Sequence, residues 1–168
     1  MPTTATRNPP VSPEPRLELE VQYASAAGDL PSQADFRRWA AAALDPAGEP
    51  AELVIRIVDE EESRDFNRRY RGIDRPTNVL SFPFEAPPEV ESRHLGDLLL
   101  CAPVIRAQAR EQHKAGRDHW AHMVVHGVLH LRGYDHLEEA QAQQMEDEER
   151  RILATLGIAD PYRTEDVA

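Results

Sequence analysis

Four of the chain's seven histidines fall within fifteen residues, in HMVVHGVLHLRGYDH from His122 to His136. Imidazole can move protons, make hydrogen bonds or ligate a divalent transition metal, and spacing decides which of these a cluster suits. In a helix, His122, His126 and His130 follow at i, i+4 and i+8 and share one face. They cannot all hold a single ion. The outer two lie ~12 Å apart along the axis, whereas two ligands of one tetrahedral zinc sit only ~3.5 Å from each other. A glycine just past a helix tolerates the left-handed backbone that ends the last turn, so Gly133 can return the chain and bring His136 towards His126 and His130. The resulting H-x-x-x-H-x-x-G-x-x-H supplies three ligands to one ion and leaves a fourth position open to water, as in catalytic rather than structural zinc sites. Imidazoles suit Zn2+, while Ni2+, Co2+, Cu2+ and Fe2+ stay open on ligand type alone.

The bland alternative is a set of ordinary helix histidines packed beside Met123 and Val124. The glycine turn and the third histidine favour metal binding by His126, His130 and His136; for His122, packing or support beneath the ligands is favoured. His94, His113 and His119 lack any partner spacing and are expected at the surface. Zinc peptidases of the H-E-x-x-H type place a glutamate directly after the first histidine as general base. This chain has Gly127 there, and Met145 sits in an acidic helix rather than a Met-turn. The ligand spacing resembles a metzincin, but the chemistry must differ.

The elements that must position these residues follow from periodicity. RLELEVQY alternates Leu17, Leu19, Val21 and Tyr23 with polar residues, the mark of a half-buried strand. PSQADFRRWAAAALD reads as a helix capped at Ser32, with Phe36, Trp39, Ala40 and Ala43 at helical spacing and an end before Pro46. AELVIRIV is a second strand, through Leu53, Ile55 and Ile57. The acidic run after Asp59 favours the start of a second helix, with Phe66 and Tyr70 as its buried stripe and Gly72 at its end. NVLSFPF and LGDLLLCAP are two further strands that can pair across the loop EAPPEVESRH, and three helical segments complete the chain. The expected architecture is a single α+β domain over 16–158, a mixed sheet of about four strands packed with about five helices, with the metal site at a helix end and the following turn. Residues 1–15, with five prolines, are expected to form a disordered tail, and 159–168 a C-terminal tail.

Composition bounds the function. The single cysteine, Cys101, excludes an intramolecular disulfide and a cysteine-rich zinc site, and argues against a disulfide-linked partner. No signal pattern and no apolar run of membrane-spanning length is present, so the expectation is a cytoplasmic protein without a membrane partner. A net charge of −11 argues against a general nucleic-acid coat held by overall charge. Local charge differs: SRDFNRRYRGIDR brings Arg64, Arg68, Arg69, Arg71 and Arg75 together, and Lys114 is the only lysine among nineteen cations. Arginine forks bind phosphate in a bidentate manner, while a GC-rich genome would produce the same bias. Arg64, Arg68, Arg69 and Arg75 are either an RNA-facing surface or a solvated helix face.

Taken together, RGIDRPTNVLSFPF, HLGDLLLCAP and HMVVHGVLHLRGYDH resemble the YbeY family of endoribonucleases, spanning Arg71 to His136 in the family's order. The resemblance implies that His126, His130 and His136 are the ligands of one Zn2+ and that Arg71, before GIDRPT, is the functional arginine of the cleft. Arg71 and His126 are accordingly the expected catalytic residues. Asn78 stands where the family commonly has aspartate and is left out of that set. The resemblance further implies a metal-dependent endoribonuclease of single-stranded rRNA, acting in small-subunit 3′-end processing and ribosome quality control, with the small subunit and its assembly factors as partners. Asp135 either orients a ligand imidazole or is local turn structure. The competing readings are a zinc peptidase with a base from outside the motif, and a ribosome-assembly factor whose zinc is mainly structural.

Overall fold

A computed structural model describes residues 17–163; the proline-rich 1–15 segment and the last five residues lie outside the described part. In chain order the elements are β1 (Leu17–Ala24), α1 (Gln33–Ala43), β2 (Ala51–Val58), α2 (Glu60–Arg71), β3 (Val79–Pro83), β4 (His94–Cys101), α3 (Ala102–Glu111), α4 (Gly116–Leu131) and α5 (Glu139–Thr155). The strands form one mixed sheet ordered β1-β2-β4-β3, parallel across β1–β2–β4 and antiparallel between β3 and β4. This is the α+β layout expected from the sequence, including the hairpin-like pairing of the last two strands.

Period-two alternation divides the sheet between two layers. Leu53, Ile55 and Ile57 of β2 and Leu98 and Leu100 of β4 face the main core with α1 and α4, whereas Val58, Leu80 and Leu99 face α2. α1 starts at a reciprocal cap in which Ser32 accepts from the Asp35 amide and the Asp35 carboxylate accepts from the Ser32 amide. Its Phe36 meets both Trp39 of the same helix and Trp120 of α4 edge to face. α4 is buried nearly all round, packed by α1, α3, α5, β3 and β4, which accounts for its continuous apolar sequence.

The buried stripe of α2 differs from expectation. Ser63 and Asn67 are buried, while Phe66 is half-buried and Tyr70 exposed. The reason is the loop after α2, which doubles back onto the helix: Ser63 Oγ donates to the Thr77 carbonyl and accepts from its amide, and Asn67 Nδ2 donates to the Arg75 carbonyl. Gly72 ends the helix with φ 71, as its position suggests. No helix among the described residues is long and apolar enough to cross a membrane.

Candidate metal centre

The last turns of α4 carry His126 and His130, and the chain reverses directly after them. Gly133, at φ 97, donates to the His130 carbonyl, and Tyr134 donates to the Leu129 carbonyl, the paired bonds of a Schellman ending. The turn is anchored on both sides: Arg132 donates to the Ala43 carbonyl at the end of α1, and the Tyr134 hydroxyl to Glu148 of α5. His136 returns by this route to His130 and His126. Ligand atoms of the three imidazoles all lie within 4.8 Å of one another, with ring centroids 4.7, 4.9 and 6.1 Å apart. Asp135 accepts from the amide of His136, 2.7 Å away, so it shapes the turn rather than an imidazole.

Glu149 lies beneath this cluster. It is wholly buried in α5; Oε1 accepts from Nδ1 of His126 and Oε2 from the Tyr162 hydroxyl. The Nδ1–H of His126 is thereby committed, and its Nε2 is left to face the other two histidines. Nε2 of His122 is 3.5 Å from Oε2 of Glu149, too long for a well-formed hydrogen bond. Burial pushes the Glu149 carboxyl up, but the neighbouring imidazoles of His122 and His126 more than offset this and hold it at about 2. Burial, then the interaction with Glu149, pushes the Tyr162 phenol well above its usual range, which keeps the hydroxyl a donor.

The donor set fits a zinc ion. Burial and then the charges of His126 and His136 hold the imidazole of His130 at about 4, so it stands neutral and ready to ligate near pH 7. His126 beside it already has one ring nitrogen held by a carboxylate, the usual support of a metal-binding histidine.

Other residues fall elsewhere. His122 is buried beside Tyr162, with ring centroids 5.4 Å apart, and His113 is exposed. His94 is half-buried and bonds Asp97. His119 is not at the surface: it is buried, with Nε2 2.9 Å from Gln108 Oε1, because α3 packs over that face of α4. Asn78 Nδ2 donates to the same Gln108 oxygen, which joins the start of β3 to α3 and, through His119, to α4. Arg71 stands exposed at the end of α2, and its side chain makes no hydrogen bond or ion pair among the described residues. Gly127 faces the sheet. A Cβ there would meet Leu98 Cδ2 at 2.8 Å and Val79 Cγ2 at 3.2 Å, and its carbonyl accepts from Ser81. A glutamate at this position would therefore run into the sheet.

Sequence reasoning passed over Glu149. Its signal was present in QQMEDEERRIL, where Met145, Glu149 and Ile152 follow at i, i+4 and i+7 and put a carboxylate inside the apolar stripe.

Residues 22–157 match the family model described as endoribonuclease YbeY. The endoribonuclease YbeY of Alkalilimnicola ehrlichii is 58% identical over 161 residues, 93% of this chain and 97% of that protein. A Thermotoga maritima protein solved in solution aligns with a TM-score of 0.48 at 19% identity, over 89% of this chain and 99% of its own. The chain belongs to the endoribonuclease YbeY family.

Proposed function

We propose that this chain is a metal-dependent, single-strand-specific endoribonuclease of rRNA maturation, acting notably in small-subunit 3′-end processing and in ribosome quality control. The observation that carries the reading is the convergence of His126, His130 and His136, within 4.8 Å, in a chain of this family. These three residues would hold one Zn2+, leaving a fourth position for water. The ion would serve as a Lewis acid, acidifying water and polarising a phosphate oxygen. Glu149 holds the Nδ1–H of His126 and so presents Nε2 as the ligating atom. Arg71, whose side chain has no hydrogen bond or ion pair among the described residues, is assigned to the phosphate, where its guanidinium offsets charge developing on phosphorus. Single-stranded rRNA is the substrate form because its backbone and bases are exposed, and the small subunit with its assembly factors, in the cytoplasm, is the setting. The packing of Gly127 against Leu98 and Val79 weighs against the peptidase reading, since no H-E-x-x-H base fits there.

The test is metal analysis of purified protein coupled to cleavage of precursor rRNA, wild type against His130→Ala. Metal content and cleavage are expected to fall together. Casein hydrolysis without RNA cleavage would overturn the nuclease reading. Normal rRNA maturation in cells carrying a folded, metal-free variant would remove the metal from the function.

A further inference from the structure

Phe66 of α2 packs on Val58, Leu80 and Leu99 of the sheet, but Tyr70, one turn on, does not join that layer. Because the loop after α2 occupies the Ser63–Asn67 face, Phe66 is only half-buried and Tyr70 lies towards solvent. There they join Phe82 of β3. The Phe66 and Tyr70 rings are stacked at 5.9 Å and 10°, and Tyr70 meets Phe82 at 5.1 Å and 68°. Tyr70 remains 65% exposed. Its ring is thus backed by two others yet open to solvent, a surface already ordered before anything binds.

The charge around it is selective. Arg64 is matched by Asp74, and Arg68 and Arg69 share the one carboxylate of Asp65. Arg71, next to Tyr70, and Arg75, on the loop that Asn67 ties down, are exposed, and their side chains have no partner among the described residues. In a chain of net charge −11, two unmatched guanidiniums on the last residue of α2 and on the loop after it, in the segment that carries the open Tyr70 ring, suit a ligand that is anionic and has a flat face. β3 links this surface to the metal centre. Phe82 lies on one face of the strand, and its neighbour Ser81, on the other, donates to the Gly127 carbonyl between His126 and His130.

We propose that Tyr70, backed by Phe66 and Phe82 and followed in the chain by the unpaired Arg71 and Arg75, is a base-stacking platform for single-stranded RNA, seating a nucleotide outside the three-histidine centre. This rests on the endoribonuclease reading and deepens it. Stacking on an aromatic ring tolerates any base, and the two arginines take the adjoining phosphates. A duplex keeps its bases stacked on one another and cannot offer one to the ring, so the platform selects for single strands.

The test is binding of a labelled single strand, confirmed intact by gel after each measurement, to the zinc-loaded protein, beside an abasic strand of equal length. Tyr70→Ala is expected to weaken binding of the first strand by about 5- to 150-fold, the worth of one stacked base. Tyr70→Phe keeps the ring and should bind as wild type does. The abasic strand should bind wild type and Tyr70→Ala equally. Unchanged binding by Tyr70→Ala, equal losses in Tyr70→Phe and Tyr70→Ala, or the same loss with the abasic strand would each overturn the platform while leaving the nuclease reading intact. Wild-type protein that binds neither strand would overturn both.

Discussion

Glu149 of α5 accepts a hydrogen bond from Nδ1 of His126 in α4, joining the two helices through a carboxylate wholly removed from solvent. The bond fixes which nitrogen of His126 carries the proton and how its ring is turned. Replacing Glu149 by leucine is expected to lower zinc affinity by about 10- to 100-fold, as loss of such outer support does at other metal sites. Competition with a chromogenic chelator reads this directly. Affinity equal to wild type would reduce Glu149 to a packing role.

Gly133 controls the return of His136. At φ 97 a side chain is strained, and Gly133→Ala should lose on the order of 1–2 kcal/mol in chemical denaturation. The same change should weaken zinc binding, because the third ligand depends on this turn. Loss of stability with full zinc affinity would show that His136 finds its place without it.

Gly127→Ala places a methyl group 2.8 Å from Leu98 Cδ2 in a filled core. Overpacking of roughly 1–3 kcal/mol should exceed the ~1 kcal/mol that alanine gains in helix propensity. Trimming the neighbour in the double variant with Leu98→Val should recover part of the loss. Urea denaturation of the two variants checks the coupling, and additive losses would contradict it.

Arg71→Ala is expected to leave zinc content and folding unchanged, since its exposed side chain makes no hydrogen bond or ion pair among the described residues, while cleavage of single-stranded RNA falls by at least about tenfold. His126→Ala should lose both metal and cleavage. Wild-type cleavage by Arg71→Ala would take the phosphate role from this residue.

Burial, then the charges of His122 and Lys114, holds His119 at about 4, below the ordinary 6.5. Through that interval the unfolded chain takes up a proton that the folded chain refuses. The contribution is therefore complete above about pH 6.5 and is lost as pH falls towards about 4, by on the order of 2–3 kcal/mol. Urea unfolding of the metal-free protein at pH 7 and pH 4.5 should show a smaller loss in His119→Leu than in wild type. Equal losses would place the acid sensitivity elsewhere.

Local spacing alone was enough to bring the three histidines together. His126 and His130 are one helical turn apart, and Gly133 ends that helix in the only backbone region that returns His136 to them; these are short-range consequences of backbone geometry. The strands were legible for the same reason, since alternation of Leu53, Ile55 and Ile57 needs no knowledge of the rest of the chain. Periodicity says which residues share a face, but not what that face will meet. His119 lies buried against Gln108 because α3 covers it. Ser63 and Asn67 take the buried face of α2 because the loop after the helix folds back and satisfies their polar groups, and Glu149 can enter the core only because His126 and Tyr162 arrive from other parts of the chain to bond it. A buried polar group is tolerated only with its partners in place, and those partners were decided by tertiary packing.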